Sequence, residues 1–232
     1  MASSSPDPRD APGWYGKLSS LGDFAQRRLP PHWVKACDAW LSDVLRSGRE
    51  QLGARFLDVY LTAPVLRFAW APGVVDTHWW FGLLMPSCDS VGRYFPLLIA
   101  QHRARPPEDR IALDHLELWL DHLAHAAVHT LSDGGGSVDD LEAALHDAPR
   151  WPAAGRGAAA AIRRDAGNDH FEFVRAAALS QWLPTLAAQQ LGARLAGCSL
   201  WWRVGESGGA EAADIVPGLP DGERFVALLR GA

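Results

Sequence analysis

The stretch of sequence that decides the fold is residues 65–100, VLRFAWAPGVVDTHWWFGLLMPSCDSVGRYFPLLIA. It contains three apolar runs rich in β-forming residues, at 65–71, 77–85 and 93–100, separated by short breaks with proline, glycine or aspartate. Short runs with short gaps indicate neighbouring antiparallel strands. Apolar residues also follow one another without alternation, as at 79–81, which predicts a sheet covered on both faces.

Upstream of this stretch, a further apolar run at 56–61 is interpreted as another strand. Apolar residues at helical spacing predict a helix that begins at Pro31, since proline is tolerated in a first turn, and stops at Gly48. A short strand is expected near Trp14.

The chain after the strands is predicted to be mainly helical. A helix is expected at 111–131, ended by the glycines 134–136, and its apolar stripe consists of Leu113, Leu116, Leu120, Leu123, Ala127 and Leu131. A second helix at 138–146 is expected to be capped by Ser137, and a helical stretch at 171–190 to be kinked or divided by Pro184. A last strand at 199–204, a loop at 205–222 and a terminal helix from Glu223 complete the prediction.

Helices on both sides of the strands must cover the two apolar faces of the sheet. The predicted fold class is therefore α/β, with a mostly antiparallel or mixed central sheet sandwiched between helices in three αβα layers. Residues 1–12 are rich in serine, proline and aspartate and are predicted to be a disordered tail. Residues 13–232 are predicted to form one domain, with a motif-bearing helix and sheet part at 13–105 and a mainly helical part at 106–232.

Composition narrows the classes of function. The chain has 232 residues and a net charge of −5 without a long basic run, which argues against nucleic-acid binding. No apolar segment is long enough to span a bilayer, and the first residues do not resemble a secretory signal. The three cysteines, Cys37, Cys88 and Cys198, are odd in number and lack C-x-x-C spacing, which favours a reducing compartment. We therefore expect a cytoplasmic protein with no membrane insertion.

A search for catalytic motifs returns fragments only. Gly16 and Lys17 lack both the earlier glycine and the following hydroxyl of a phosphate-binding loop. Residues 197–201 lack the final glycine of a nucleophile elbow.

One predicted helix carries four histidines, and three of them, His122, His125 and His129, share a face at spacings of three and four. With Asp114 and Asp121 nearby, these imidazoles are candidate zinc ligands. The alternative interpretation is a solvated face opposite the leucine stripe, and we favour it because the Glu of H-E-x-x-H is missing. We therefore expect no metal and no cofactor.

Two segments carry a more specific signal. Residues 13–24 read GWYGKLSSLGDF and residues 85–97 read MPSCDSVGRYFPL. Together they resemble the signature blocks of the TagF/ImpM family, approximately G-x-x-G-K-x-P-x-x-G-D-F and P-S-x-D-x-x-G-R-x-F-P-L. Ser19 stands where that family usually has proline, which we expect to alter a turn and not the fold.

The resemblance marks twelve residues as motif or partner-binding positions: Gly16, Lys17, Gly22, Asp23, Phe24, Pro86, Ser87, Asp89, Gly92, Arg93, Phe95 and Pro96. The three glycines are expected to permit backbone conformations that side chains forbid. Asp23 is a candidate cap, and Arg93 is expected to pair with Asp23 or Asp89, with Lys17 in the same network. These residues either pin the N-terminal segment to the sheet or bind a partner, and the sequence leaves both possibilities open.

The resemblance implies a non-catalytic, post-translational repressor of bacterial type VI secretion. It implies an FHA-domain scaffold as partner and a functional link to a threonine kinase and phosphatase pair. Trp79-Trp80 and Trp201-Trp202 are candidate aromatic anchors, with one member of each pair expected in the core. The alternatives are a structural accessory component of the secretion machine and, third, a metal-dependent hydrolase that uses the histidine helix.

Overall fold

The computed structural model describes residues 11–132, 136–151, 160–165, 168–173, 179–205 and 210–231. Its strands are β1 (Gly13–Gly16), β2 (Ala25–Arg27), β3 (Leu66–Trp70), β4 (Trp79–Met85), β5 (Leu97–Arg103), β6 (Ala160–Asp165), β7 (Asn168–Phe173), β8 (Cys198–Val204) and β9 (Ala210–Pro217). Its α-helices are α1 (Pro31–Leu52), α2 (Phe56–Leu61), α3 (Arg110–His129), α4 (Val138–His146), α5 (Leu179–Leu195) and α6 (Gly222–Arg230). The predicted disordered tail lies almost wholly outside the described residues.

A seven-stranded sheet organises the chain, with the strand order β2-β1-β5-β4-β3-β8-β9. Every neighbouring pair is antiparallel. This confirms the predicted α/β class with an antiparallel sheet. The sheet combines strands from both predicted parts of the chain, because β8 and β9 come from the part expected to be mainly helical. The strands β6 and β7 form a separate antiparallel hairpin that the sequence did not predict.

Two apolar cores lie on opposite faces of the sheet, which gives the predicted three layers. One core joins the sheet to α1, α2 and α6, and the other joins it to α3 and α4. Neighbouring strand residues point to opposite faces. Trp79 accordingly packs in the α3 core and Trp80 in the α1 core, and both are buried.

Aromatic stacking forms the centre of the α1 core. The ring of Trp33 lies 5.5 Å from that of Trp70 and 4.9 Å from that of Trp80. Trp201 is fully buried beside Trp70, whereas Trp202 is only partly buried on the opposite face. The tryptophan pairs therefore build the core, and Trp202 alone of their four members retains partial exposure.

Helix α1 begins at Pro31 as predicted but does not stop at Gly48. A Cβ atom at Gly48 would lie 3.1 Å from the ring of Phe56, so this glycine serves close packing inside the helix. The helix ends at Gly53, whose φ of 53° and ψ of −127° form a conformation that glycine adopts far more readily than other residues.

The predicted strand at 56–61 is wrong, because these residues form α2. A 3₁₀ turn at Gly53–Arg55 leads from α1 into the short helix α2. Phe56 and Tyr60, four residues apart, point into the core, while Leu57 and Leu61 are exposed. The helical spacing of Phe56 and Tyr60 could not be recognised in the sequence, because most positions of this run are apolar.

The helices α3 and α4 follow the prediction closely. Asp109 caps α3, and Ser137 caps α4 through a reciprocal capping box with Asp140. Two members of the predicted apolar stripe on α3, Leu113 and Leu131, are exposed, whereas the other four are buried. Trp119, Ala112 and Ala126 complete the buried face.

Two predictions for the C-terminal part are wrong. The helical stretch predicted at 171–190 is wrong at 171–173, which belong to strand β7, and is confirmed from Leu179, where α5 begins. Pro184 lies inside α5 and does not divide it. The predicted loop at 205–222 contains β9, which pairs with β8 along most of its length. The terminal helix is present as α6, capped by Asp221. None of the described helices is both long enough and apolar enough to cross a bilayer.

We predict that Phe225→Ala destabilises the fold by about 3–5 kcal/mol, because this fully buried ring joins α6 to α1 and leaves a cavity when removed. Urea unfolding measures the change. Leu118→Ala on the exposed face of α3 is the matched control and should change the unfolding free energy by about 0.5 kcal/mol or less. Equal effects of the two substitutions would contradict the described core.

Candidate functional site

The two motif segments meet because β1 pairs with β5. In this antiparallel pair Tyr15 lies opposite Leu98, so the end of β1 lies beside the start of β5. Gly16 makes the approach possible: its φ is 140°, and a Cβ atom there would lie 2.1 Å from the carbonyl oxygen of Pro96. A backbone bond from Ser90 to the carbonyl of Leu21, at 2.9 Å, joins the loops that follow.

A buried carboxylate, Asp89, is the centre of the site. Its side chain is fully enclosed and forms an ion pair with the buried amine of Lys17. It also accepts a hydrogen bond from Nε of Arg93 at 2.7 Å. The backbone amides of Val91 and Arg93 donate to its other oxygen at 3.1 and 2.8 Å. The carboxylate of Asp89 thus stabilises its own loop through Val91 and Arg93, and connects that loop to the first motif through Lys17.

The electrostatics of Asp89 follow from these contacts. Burial alone would raise the pKa of this carboxyl, but hydrogen bonds from Lys17 and from the backbone and guanidinium of Arg93 outweigh burial and hold the pKa far below its ordinary value. Asp89 is therefore ionised throughout the physiological range. Its negative charge compensates the ammonium of Lys17, which is only 4% exposed.

Ser87 connects the same loops to α2. Its hydroxyl donates to the carbonyl of Lys17 at 2.8 Å. The hydroxyl of Tyr60 donates to the carbonyl of Ser87 at 3.1 Å and accepts from its amide at 3.0 Å. Burial raises the pKa of Tyr60, so this phenol remains a neutral hydrogen-bonding group.

An aromatic cluster covers the ion pair. Phe24 stacks on Tyr15 with ring centroids 6.0 Å apart and meets the edge of Phe95 at 4.8 Å. The amine of Lys17 lies 4.5 Å from the centre of the Phe24 ring, a cation–π distance. Tyr15 in turn donates a hydrogen bond to Asp38 of α1, and its burial raises the pKa of the phenol.

The outer side of this assembly forms an exposed patch, which we call the motif surface: Asp23, Phe24, Ser90, Val91, Gly92 and Arg93. Val91 is 68% exposed and Phe24 is 45% exposed, although both are apolar. The side chain of Arg93 is 57% exposed while bound to Asp89 from below. Gly92 has a φ of 79°, which turns the loop back towards β5.

The structure sorts the twelve sequence-marked residues by position. Seven are buried in the assembly: Gly16, Lys17, Pro86, Ser87, Asp89, Phe95 and Pro96. Five are exposed: Gly22, Asp23, Phe24, Gly92 and Arg93. Arg93 pairs with Asp89 and not with Asp23, whose carboxylate accepts from the amide of Phe24 at 2.8 Å.

The expectation for Gly22 is wrong. Its φ lies outside the left-handed region, and a Cβ atom there would meet only the hydroxyl of Ser90, at 3.7 Å. Its carbonyl, which accepts a hydrogen bond from the guanidinium of Arg93, is the atom the site uses. Ser19, the departure from the family pattern, donates from its hydroxyl to the carbonyl of Thr130 at the end of α3.

Sequence reasoning missed two groups that brace the site. Tyr60 carried no motif, and only the three-dimensional structure brings it to Ser87. The second group is Glu142 of α4, which accepts hydrogen bonds from Arg28 and from the indole of Trp14 in the first motif. Arg28 has a φ of 56°, the single positive value among described residues other than glycine. Burial acts to raise the pKa of Glu142, and the bonds from Arg28 and Trp14 outweigh it and lower that pKa.

The histidines of α3 are engaged locally. His122 meets the carbonyl of Ala144 at 2.7 Å, and His125 meets the carbonyl of Asp121, on its own helix, at 2.8 Å. Within the part of the chain that the structure describes, no group of three or more potential ligand residues is arranged to hold a metal ion. Asp121 instead pairs with Arg67 of β3.

The geometry defines an antiparallel α/β sandwich in which two sequence motifs build one braced, partly exposed loop assembly. The model of the TagF N-terminal domain, described as type VI secretion system-associated, matches residues 13–148. The chain belongs to this TagF family of type VI secretion-associated proteins.

A solved structure supports the assignment over nearly the whole chain. The crystal structure of PA0076 from Pseudomonas aeruginosa PAO1 superimposes with a TM-score of 0.75 and 33% sequence identity, covering 95% of this chain and 94% of that one. Among curated proteins, no significant match to the chain is found.

We predict that Gly16→Ala destabilises the protein by about 3 kcal/mol or more, because a Cβ atom would overlap the backbone of Pro96 at a φ that side chains rarely adopt. Gly53→Ala is the matched control, since Gly53 also has a positive φ but no heavy atom within 4 Å of the added carbon. We expect it to cost less than Gly16→Ala, about 1–3 kcal/mol, because only the backbone conformation is penalised. Urea unfolding of both variants separates the cost of the steric overlap at Gly16 from the cost of a positive φ. Equal losses of unfolding free energy in the two variants would contradict the close approach of Gly16 to Pro96.

Acid should weaken the site through Asp89. Its pKa is lower in the folded state than in the unfolded chain, so the stabilisation is complete above about pH 5 and is lost as the pH falls through the ordinary aspartate range and below. Asp89→Asn should lower stability near neutral pH, because Lys17 loses its counter-charge, and should flatten the decline on acidification. Unfolding at about pH 6.5 and about pH 3.5 measures this difference. Asp114→Asn, at an exposed position of α3, should keep the wild-type decline, and an unchanged decline in Asp89→Asn would refute the assignment.

Proposed function

We propose that this TagF-family protein is a non-catalytic, post-translational repressor of type VI secretion that acts in the cytoplasm by binding an FHA-domain scaffold through the motif surface. The observation that carries the proposal is the exposure of Phe24, Val91 and Arg93 on a loop assembly held rigid from beneath. The functional link to a threonine kinase and phosphatase pair follows from the family resemblance and belongs to the same proposal.

Rigidity favours binding because the surface loses little conformational entropy when a partner docks. The loop of Val91 is closed by the carboxylate of Asp89, and Phe24 is held between the amine of Lys17 and the ring of Phe95. These contacts fix the exposed side chains before a partner arrives. Phenylalanine and arginine are both enriched at protein interfaces, and the motif surface exposes one of each.

Because most of the paired tryptophans are buried, the motif surface offers a better candidate for the aromatic anchor. Trp79, Trp80 and Trp201 are buried and are unavailable to a partner. Phe24 combines large exposure with a fixed orientation. We therefore expect Phe24 to be the aromatic residue that enters the partner.

The structural-component alternative makes a different prediction in the cell. Deletion of a repressor releases secretion, whereas deletion of a required component stops it. Measuring secretion by a deletion strain separates these two functions directly. The hydrolase alternative depended on the histidines of α3, and the local contacts of His122 and His125 favour the interpretation of a structural helix face.

We predict that Phe24→Ala weakens binding to the FHA-domain protein of the same genome by about tenfold or more. Val91→Asp should have a comparable effect, because a carboxylate replaces an exposed apolar contact. Calorimetry with purified proteins measures the affinities, and thermal melting checks that each variant is folded.

Arg93→Ala tests whether the charged part of the motif surface contributes, provided that the variant folds. Leu118→Ala is the control, because Leu118 is 58% exposed on α3 and lies outside the motif surface. Folded variants that all bind with wild-type affinity would refute the motif surface as the binding site. Absence of binding by the wild-type protein at about 100 μM would refute the scaffold as the direct partner.

A further inference from the structure

The strand β9 forms one margin of the seven-stranded sheet, and its outer edge pairs with no other described strand. At eight residues it is much longer than β2, the three-residue strand at the opposite margin. Ala213, Ile215 and Pro217 of β9 are all exposed. A long edge strand presents unpaired backbone groups that pair readily with another extended chain.

Along an edge strand, the backbone groups of alternate residues bond to the neighbouring strand and those of the others face outward. The amide of Gly218 donates to the carbonyl of Gly197 at 2.7 Å, so the residues that bond to β8 are those two, four and six positions earlier. The backbone groups of Ala213 and Ile215 therefore point away from β8. Pro217 also holds an outward position, where its missing N–H costs the existing ladder nothing.

A cleft of about 470 Å³ lies at the C-terminal end of this edge, on the side of α6. Its apolar walls come from β9, the following turn and α6, and comprise Val216, Pro217, Leu219, Pro220 and Ala227. On the opposite face of the edge, Ile215 is 55% exposed. A strand added beside β9 would direct alternate side chains into the cleft and towards Ile215.

The charges of the edge define the chemistry of its occupant. Asp221 and Glu223 line the cleft and are exposed, and Asp214 of β9 is partly exposed. Arg224 is the cationic residue of the cleft, and it is paired with Asp214 at 3.2 Å. We propose that the outer edge of β9 binds an extended segment of a partner protein with alternating apolar and basic side chains, by adding it as a further strand.

A second copy of this chain fits the edge less well. Pairing β9 with β9 of another copy would bring a strand that carries Asp214 against a cleft already lined by Asp221 and Glu223. Like charges that face each other across strands are destabilising. This proposal concerns a surface separate from the motif surface and does not depend on the FHA-domain scaffold being the partner.

A short fluorescent peptide of alternating lysine and valine tests the proposal by anisotropy with the full chain. Two changes remove strand pairing but retain charge and apolar area. The first is N-methylation of the peptide backbone, and the second is Ala213→Pro, which deletes an outward N–H and leaves the bonds to β8 intact. Ala213→Ser keeps that N–H and is the matched control, and circular dichroism checks the fold of each variant.

We expect saturable binding that N-methylation weakens about tenfold or more, that Ala213→Pro weakens similarly, and that Ala213→Ser preserves. Glutamate in place of lysine should abolish binding. Equal affinity for the N-methylated peptide would show attraction by charge alone and would overturn the proposal, since the peptide control is independent of how Ala213→Pro folds. Absence of binding at about 1 mM would also overturn it. A wild-type dimer that Ala213→Pro dissociates would assign the edge to a second copy instead.

Discussion

The buried ion pair between Asp89 and Lys17 is the interaction on which the motif region depends. Lys17 directly follows β1, and Asp89 lies in the loop between β4 and β5, so their contact holds an irregular segment against the sheet. A buried amine without a counter-charge is strongly unfavourable, which makes the two residues mutually necessary. Arg93 extends the network to the surface, because its guanidinium binds the buried Asp89 while its side chain remains 57% exposed. Arg93 can therefore both hold the N-terminal segment to the sheet and offer its guanidinium to a partner, so the two alternatives do not exclude each other.

The sheet supplies the rigidity that this network requires. Its central strands β3 and β4 are buried along their whole length, and both faces carry large side chains. Trp70 and Trp80 interlock with Trp33 of α1 on one face, while Trp79 packs towards α3 on the other. Close packing on two faces leaves the strand ends and the loops as the parts available for recognition.

Much of this architecture was predictable because burial leaves a direct mark on sequence. Uninterrupted apolar runs identified β3 and β4, an apolar stripe at helical spacing identified α3, and the capping residue Ser137 identified the start of α4. The strand β9 was missed because alanine and acidic residues have weak strand propensity, so its structure depends on pairing with β8. Within the site, the pairing of Arg93 with Asp89 was among the expected possibilities. The contact between Tyr60 and Ser87 was not predictable, because no local pattern records a hydrogen bond between distant segments.

The strand order also separates the two candidate binding surfaces. Five strand spacings lie between β1, which leads into the motif surface, and β9, a distance of about 24 Å across the sheet. The motif surface and the outer edge of β9 are therefore distinct surfaces, and each can be altered by substitution without changing the residues of the other. Should both proposed surfaces bind, and should the two bound segments belong to one protein, their linkage would raise the overall affinity without any additional contact.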